Sequence, residues 1–219
     1  YIGKGQANLE IEALVNGDMK FAGDIRFPGM KHASIIRSPT LRGKVKSVTD
    51  TSAKGTIDYY VQPALPLQEE MTQTREAVVV LADSTWHAML ARKQLRIEWQ
   101  PGKVNYSHSG EVRDTLEALA QTPGTVVRKT GNSFAADEST ISASYYTPMQ
   151  YQAQMEPMVC TAIVNKGKCE IWAPVQWPHF AQKSVASYLG FELDEVIINP
   201  IRMGGSFGRK YCDDFVIEC

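Results

Sequence analysis

Three glycines fall within five residues in the run Gly204-Gly205-Ser206-Phe207-Gly208, directly after a short β-branched segment. Glycine lets the main chain adopt φ > 0 and lets a ligand approach the backbone closely. Successive N–H groups in such a turn form a concavity that accepts an anion. Arg209 and Lys210 follow at once with positive charge. The chemistry this could do is to cradle an oxyanion, a phosphate or a metal-bound oxygen; the same residues also suit a plain strand-to-helix turn. Two better-known phosphate loops do not fit. A P-loop needs Ser or Thr after its lysine, where Tyr211 stands here, and the G-x-G-x-x-G spacing of a dinucleotide fingerprint is missing.

Other polar side chains sit in apolar surroundings. Glu156 lies among Met149, Met155 and Met158 in "YYTPMQYQAQMEPMVCTA", where an acid is either paired in the core or lines a cleft. Gln176 stands between Pro174 and Pro178, flanked by Trp172 and Trp177. A buried amide there needs a partner, so it reads as a backbone brace or a ligand donor. Asp213 and Asp214 could be a paired carboxylate; a solvated helix start is the plainer expectation. No serine sits in a G-x-S-x-G elbow. Cys160, Cys169, Cys212 and Cys219 match neither a zinc nor an iron–sulfur spacing and are expected to be buried or half-buried free thiols. His32, His87, His108 and His179 form no H-E-x-x-H pair, so no protein-ligated metal is expected.

The elements that must position these residues are legible in the patterning. "HASIIRS" and "EAVVVLAD" predict strands, the second buried, with turns at Pro28-Gly29 and Arg42-Gly43. "DSTWHAMLARKQLRIEW" predicts a helix capped by Asp83 or Ser84, with Ala88, Ala91 and Leu95 at helical spacing, before a strand. "EVRDTLEALAQ" predicts a surface helix, and "TPGTVVRKTGNSFAADEST" a connector. "TISASYYT" alternates like a strand. "VCTAIVNKGKCEIWAP" predicts a hairpin around Lys166-Gly167-Lys168. Pro178 then opens a helix with Ala181, Val185, Tyr188 and Leu189 on its apolar face and Gly190 as its stop, and "DEVIINP" is a short strand. A further helix opens after the glycine turn. The fold class expected is α+β.

Hydrophobic residues make up 43 % and charged residues 21 % of the 219-residue chain, the mix of a globular protein with a real core. Lys plus Arg is 23 against 24 Asp plus Glu. That balance offers no basic excess for a phosphate backbone, so no nucleic-acid partner is expected. No apolar run approaches the roughly 20 residues of a membrane span. The chain starts at Tyr1 rather than Met, so its natural N-terminus is expected to lie upstream.

Three segments in this order, "YYTPMQYQAQMEPMVCTA", "WAPVQWPHFAQKSVASYLG" and "VIINPIRMGGSFGRK", resemble the start of the cofactor-binding region of the molybdenum hydroxylases, the xanthine dehydrogenase and aldehyde oxidase family. The pattern there runs roughly H-x-x-[LM]-E, a strand ending in T-Q, a helix ending in L-G, and G-G-G-F-G-[GR]-[KR]. The upstream block resembles the small hammerhead domain that precedes it. The "MEPMVCTA" wording and the arginine after "FG" are most similar to the isoquinoline 1-oxidoreductase beta-subunit type. The resemblance divides the chain into a hammerhead domain over 1–105, a connector with a surface helix over 106–138 and a partial molybdopterin-binding domain over 139–219.

That resemblance implies a molybdopterin cofactor, in its cytosine dinucleotide form, carrying molybdenum. It implies hydroxylation of an aldehyde or electron-poor N-heterocycle with water as oxygen source. Electrons would leave through a small 2Fe–2S partner subunit. The implied cofactor contacts are Gln176, hydrogen-bonded to an oxo group, and the turn residues Gly205, Ser206, Phe207, Gly208 and Arg209. Gln176 and Phe207 are therefore expected to lie close together. The family's catalytic glutamate falls beyond Cys219, so the chain reads as a fragment with no catalytic residue of its own, inactive and free of molybdenum in isolation. Three positions depart from the pattern: Gln152 replaces the usual histidine, Val175 the threonine, and Ser206 the third glycine. The alternatives are a non-catalytic scaffold or interaction module of the same fold, and a small-anion-binding protein using the glycine turn.

Overall fold

The computed structural model describes residues 2–52, 55, 57–65, 74–103, 108–131 and 139–219. They form two compact units, one of residues 1–103 with 152–219 and one of residues 104–151.

The first unit begins with a short helix, α1 (Ile11–Asn16), closed by Gly17 at φ 78°. The sequence pattern did not announce it, because it buries none of its residues. Strands β1 (His32–Arg37), β2 (Lys44–Asp50), β3 (Tyr59–Gln62) and β4 (Ala77–Ala82) follow, then helix α2 (Thr85–Arg92) and strand β5 (Leu95–Gln100). β4 lies between β1 and β3 in an antiparallel sheet, with Ile35 and Tyr60 both opposite Val79. Its central Val78-Val79-Val80 is buried throughout, which explains an apolar run without alternation. Ser84 caps α2 by accepting the His87 N–H at 3.2 Å, and the helix sets Ala88 into the core. β2 and β5 pair separately, with the register shifting between Val45 and Ser47 so that Lys46 bulges out.

The second unit contains α3 (Ser109–Ala120), whose first turn is capped by His108 accepting the Glu111 N–H at 3.4 Å. This is the expected surface helix, with no buried residue. The strand expected from "TISASYYT" is not formed. Residues 140–150 belong to no strand, and Ile141 and Tyr145 stand almost wholly exposed. Alternation yields a strand only where a neighbouring edge takes up the backbone hydrogen bonds, and no such edge meets this segment among the described residues of its unit. Residues 132–138 of the expected connector lie outside the described residues.

The first unit resumes with β6 (Thr161–Asn165), β7 (Lys168–Ala173), α4 (Pro178–Leu189), β8 (Val196–Pro200) and α5 (Asp214–Ile217). Asn165 faces Lys168 across a two-residue turn in which Gly167 has φ 74°, the hairpin that the sequence predicts. α4 then carries the chain over to β8, which pairs with β7 in parallel. Pro178 occupies its first turn and Gly190, at φ 67°, ends it in the left-handed conformation. Ile171, Ala173, Ala181, Val185, Val196, Phe215 and Val216 form the core beneath. Tyr188, expected on the buried stripe, is exposed, while Leu189 packs against the core.

Early and late parts of this unit are joined directly. Phe21 and Arg202 form a parallel bridge, and the Phe27 and Trp172 rings lie 4.7 Å apart. Arg37 grips Glu218, 181 residues on, with Nε donating to Oε1 at 2.8 Å and to Oε2 at 3.1 Å and a further bond from Nη2.

Candidate functional site

Parallel pairing of β7 and β8 brings their carboxyl ends side by side. The ladder runs one step further, through the Ile201 N–H to the Ala173 carbonyl at 3.1 Å. Gln176 follows β7 by three residues and the glycine turn follows β8, so both emerge at the same end of the sheet. In open sheets with parallel strands this is the end where ligands bind.

Lys210 ties the two together with three different atoms. Its carbonyl accepts the Gln176 N–H at 3.0 Å. Its own N–H donates to Ser206 Oγ at 2.9 Å. Its ammonium is fully buried and paired with Glu156 Oε2. That same oxygen accepts the Gly204 N–H at 2.8 Å. A Cβ on residue 204 would fall 2.9 Å from Glu156 Cβ, so glycine is required there for close approach. Glu156 is thus the paired acid, of the two roles that its surroundings allowed. Ser206 Oγ donates in turn to Gln176 Oε1 at 2.5 Å. This bond sets Gln176 beside Ser206, the chain neighbour of Phe207.

The turn has the shape of an anion cradle. Gly205, Phe207 and Gly208 have φ of 101°, 50° and 87°. Positive φ at a phenylalanine is backbone strain of the kind that a binding turn holds. The N–H groups of Gly205, Ser206, Phe207 and Gly208 donate to no acceptor among the described residues. Neither does the Gln176 side-chain amide nitrogen, and Gln176 is exposed. The site therefore offers several neutral donors within a few residues and suits an oxygen-rich anionic group such as a molybdopterin-bound metal-oxo centre.

The charges behave otherwise than the sequence suggests. Arg209 is held by Asp214 in two bonds of 2.8 and 2.5 Å, and Lys210 is consumed by Glu156, so neither displays a free cation to the turn. Asp213 is buried and Asp214 half-buried on Arg209, which corrects the expectation of a solvated helix start. Trp177 stacks on Phe180 at 4.9 Å and meets Tyr211 at 5.4 Å, an aromatic brace beside Gln176. The Trp177-x-x-Phe180 spacing could have signalled half of it; Tyr211 arrives only through the fold. Cys169 is buried and Cys160 half-buried as expected, but Cys212 and Cys219 are exposed. A hydrogen bond from the Cys160 thiol holds Cys219 below the ordinary thiol range, while the same bond, and then burial, push Cys160 well above it.

The sequence model of the molybdopterin cofactor-binding domain matches residues 118–219, a span that includes every residue of the cradle. The chain is 29 % identical over 215 residues to the membrane-bound aldehyde dehydrogenase [pyrroloquinoline-quinone] of Gluconacetobacter polyoxogenes, covering 95 % of this chain and 28 % of that protein. It is 27 % identical over 227 residues to isoquinoline 1-oxidoreductase subunit beta of Brevundimonas diminuta, covering 95 % and 27 % respectively. The chain therefore spans less than a third of either relative. Its fold is that of quinoline 2-oxidoreductase from Pseudomonas putida 86, with a TM-score of 0.67 at 19 % identity, over 95 % of this chain and 31 % of that one. With the cradle geometry and these likenesses together, residues 118–219 match a molybdopterin cofactor-binding domain, and the chain is similar in sequence and fold to subunits of molybdenum hydroxylases.

Proposed function

We propose that this chain is part of a molybdenum hydroxylase that oxidises aldehydes or electron-poor N-heterocycles with water as the oxygen source, passing electrons to a separate 2Fe–2S subunit. The observation that carries this reading is the row of uncommitted N–H groups from Gly205 to Gly208 facing the same end of the sheet as the Gln176 amide. Names of relatives support the substrate classes, one being an aldehyde dehydrogenase and another an isoquinoline 1-oxidoreductase subunit. The cofactor is molybdopterin in its cytosine dinucleotide form, and when bound it supplies the two-electron redox chemistry.

Gln176 holds one oxygen of that group through its amide nitrogen, and the turn backbone at Gly205, Ser206, Phe207 and Gly208 holds the rest. Neutral donors fix an oxyanion without titrating, so the cradle keeps one charge state across the working pH range. Arg209 contributes by fixing the turn through Asp214 rather than by direct contact. Residues 1–105 form the hammerhead-type domain of such a subunit, 106–138 its connector and 139–219 part of its cofactor domain. Metal analysis and pterin fluorescence on the full-length parent, expressed with a competent cofactor pathway, test the reading. About one molybdenum and one pterin per chain are expected; the absence of both overturns it.

A further inference from the structure

Ser206 stands where the family pattern has glycine, and it does something that glycine cannot. Its Oγ lies 2.5 Å from Gln176 Oε1 and 2.9 Å from the Lys210 N–H. The shorter distance identifies the bond. A span of 2.5 Å belongs to O–H···O, whereas N–H···O bonds begin near 2.7 Å. The hydroxyl proton therefore goes to the amide oxygen, and the Lys210 N–H occupies a lone pair of the hydroxyl, fixing its rotor. Lys210 is itself immobilised by complete burial and by Glu156. Gln176 is left with its oxygen turned inward and its NH₂ free, with no acceptor among the described residues.

We propose that Ser206 is a positioning residue that fixes the flip of the Gln176 amide, so that the cradle presents only hydrogen-bond donors to its ligand. An unlocked amide presents nitrogen or oxygen with little preference, and the oxygen face repels an oxyanion. Locking the flip makes the site selective for acceptor-rich groups, oxo-anions above all, and excludes donors such as ammonium groups. This inference rests on the cofactor reading for the identity of the ligand, but the lock itself is a property of the chain alone.

The test uses the ¹⁵N-labelled 219-residue chain, with the Gln176 side-chain signals assigned by their loss in Gln176→Met. In Ser206→Ala the Gln176 side-chain NH₂ is expected to lose order, its ¹⁵N order parameter falling below roughly 0.6, the flexible range, while the Ile171 and Val196 backbone signals stay in place. Ser206→Thr, which keeps the hydroxyl, restores the rigid value. Ser206→Gly serves as a second deletion, since glycine accepts any turn geometry and cannot fail by strain. An unchanged Gln176 order parameter in both deletions, or a low one in Ser206→Thr, overturns the lock. Sodium molybdate is then titrated into the wild type and Ser206→Gly. A shift of the Gln176 NH₂ signals that weakens severalfold in the variant supports a donor-only face. Signals that depend on Ser206 yet ignore molybdate uphold the lock and count against the cofactor reading alone.

Discussion

Lys210 carries its ammonium into a completely buried position, and among the described residues only Glu156 pairs with it. Removing one member of a buried pair strands the other, at roughly 3–5 kcal/mol. Lys210→Met is therefore expected to lower the unfolding free energy by about that much, and adding Glu156→Leu to recover most of it, as denaturant titration would show. A Lys210→Met protein of wild-type stability would mean that Glu156 finds water. The Cys160–Cys219 contact makes a second prediction at this scale. Cys219, held below the ordinary thiol range by the Cys160 thiol, carries more thiolate at pH 8 than Cys160 does. Iodoacetamide should label Cys219 before Cys160, and Cys160→Ala should slow the Cys219 labelling, read by peptide mass spectrometry. Of these residues the sequence disclosed types and not partners. Glu156 among methionines demanded an explanation, yet its cation lies 54 positions away. Ser206 looked like a blemish in a glycine turn because its use depends on Gln176, 30 residues earlier.

The elements that hold these residues were legible wherever local chemistry decides them. The Lys166-Gly167 turn, Pro178 at the start of α4 and Gly190 at its end each act within a few residues, and each is where the sequence placed it. The strand expected before Pro148 failed for the opposite reason, since a strand needs an edge that no local pattern reveals. The turn after β2 offers a test of local chemistry. Asp50 accepts the N–H groups of Ser52 at 2.7 Å and Ile57 at 3.0 Å, and hydrogen bonds from Ser52 and then Ile57 hold its carboxyl below the ordinary value of 3.8. A folded-state value below the unfolded one means that this stabilisation is complete above 3.8 and fades as pH falls through the lower, folded value. Asp50→Asn should therefore flatten the acid limb of the stability–pH curve. An identical limb in the variant would show that the turn contributes nothing there.

At the scale of the molecule, the α+β class and the order of segments were readable because each apolar period is local, whereas the way early strands close onto the last helix was not. Arg37 and Glu218 make that closure, and the carboxylate is almost wholly buried. Hydrogen bonding to Glu218 raises the Arg37 value further, so the guanidinium stays charged at any working pH. Arg37→Met should cost roughly 3 kcal/mol by leaving Glu218 buried and alone; a loss within 0.5 kcal/mol, the size of an ordinary surface change, would show that the closure rests on packing instead. The same pair has a consequence for synthesis. Contacts that span 181 residues cannot form until nearly the whole segment has left the ribosome. At roughly 5–20 residues per second the β1–β4–β3 sheet waits for many seconds without its late partner. Long-range closure of this kind slows folding, so the interval in which the edge strand β1 stands without its late partner, rather than the final stability, is what should set the demand for chaperones.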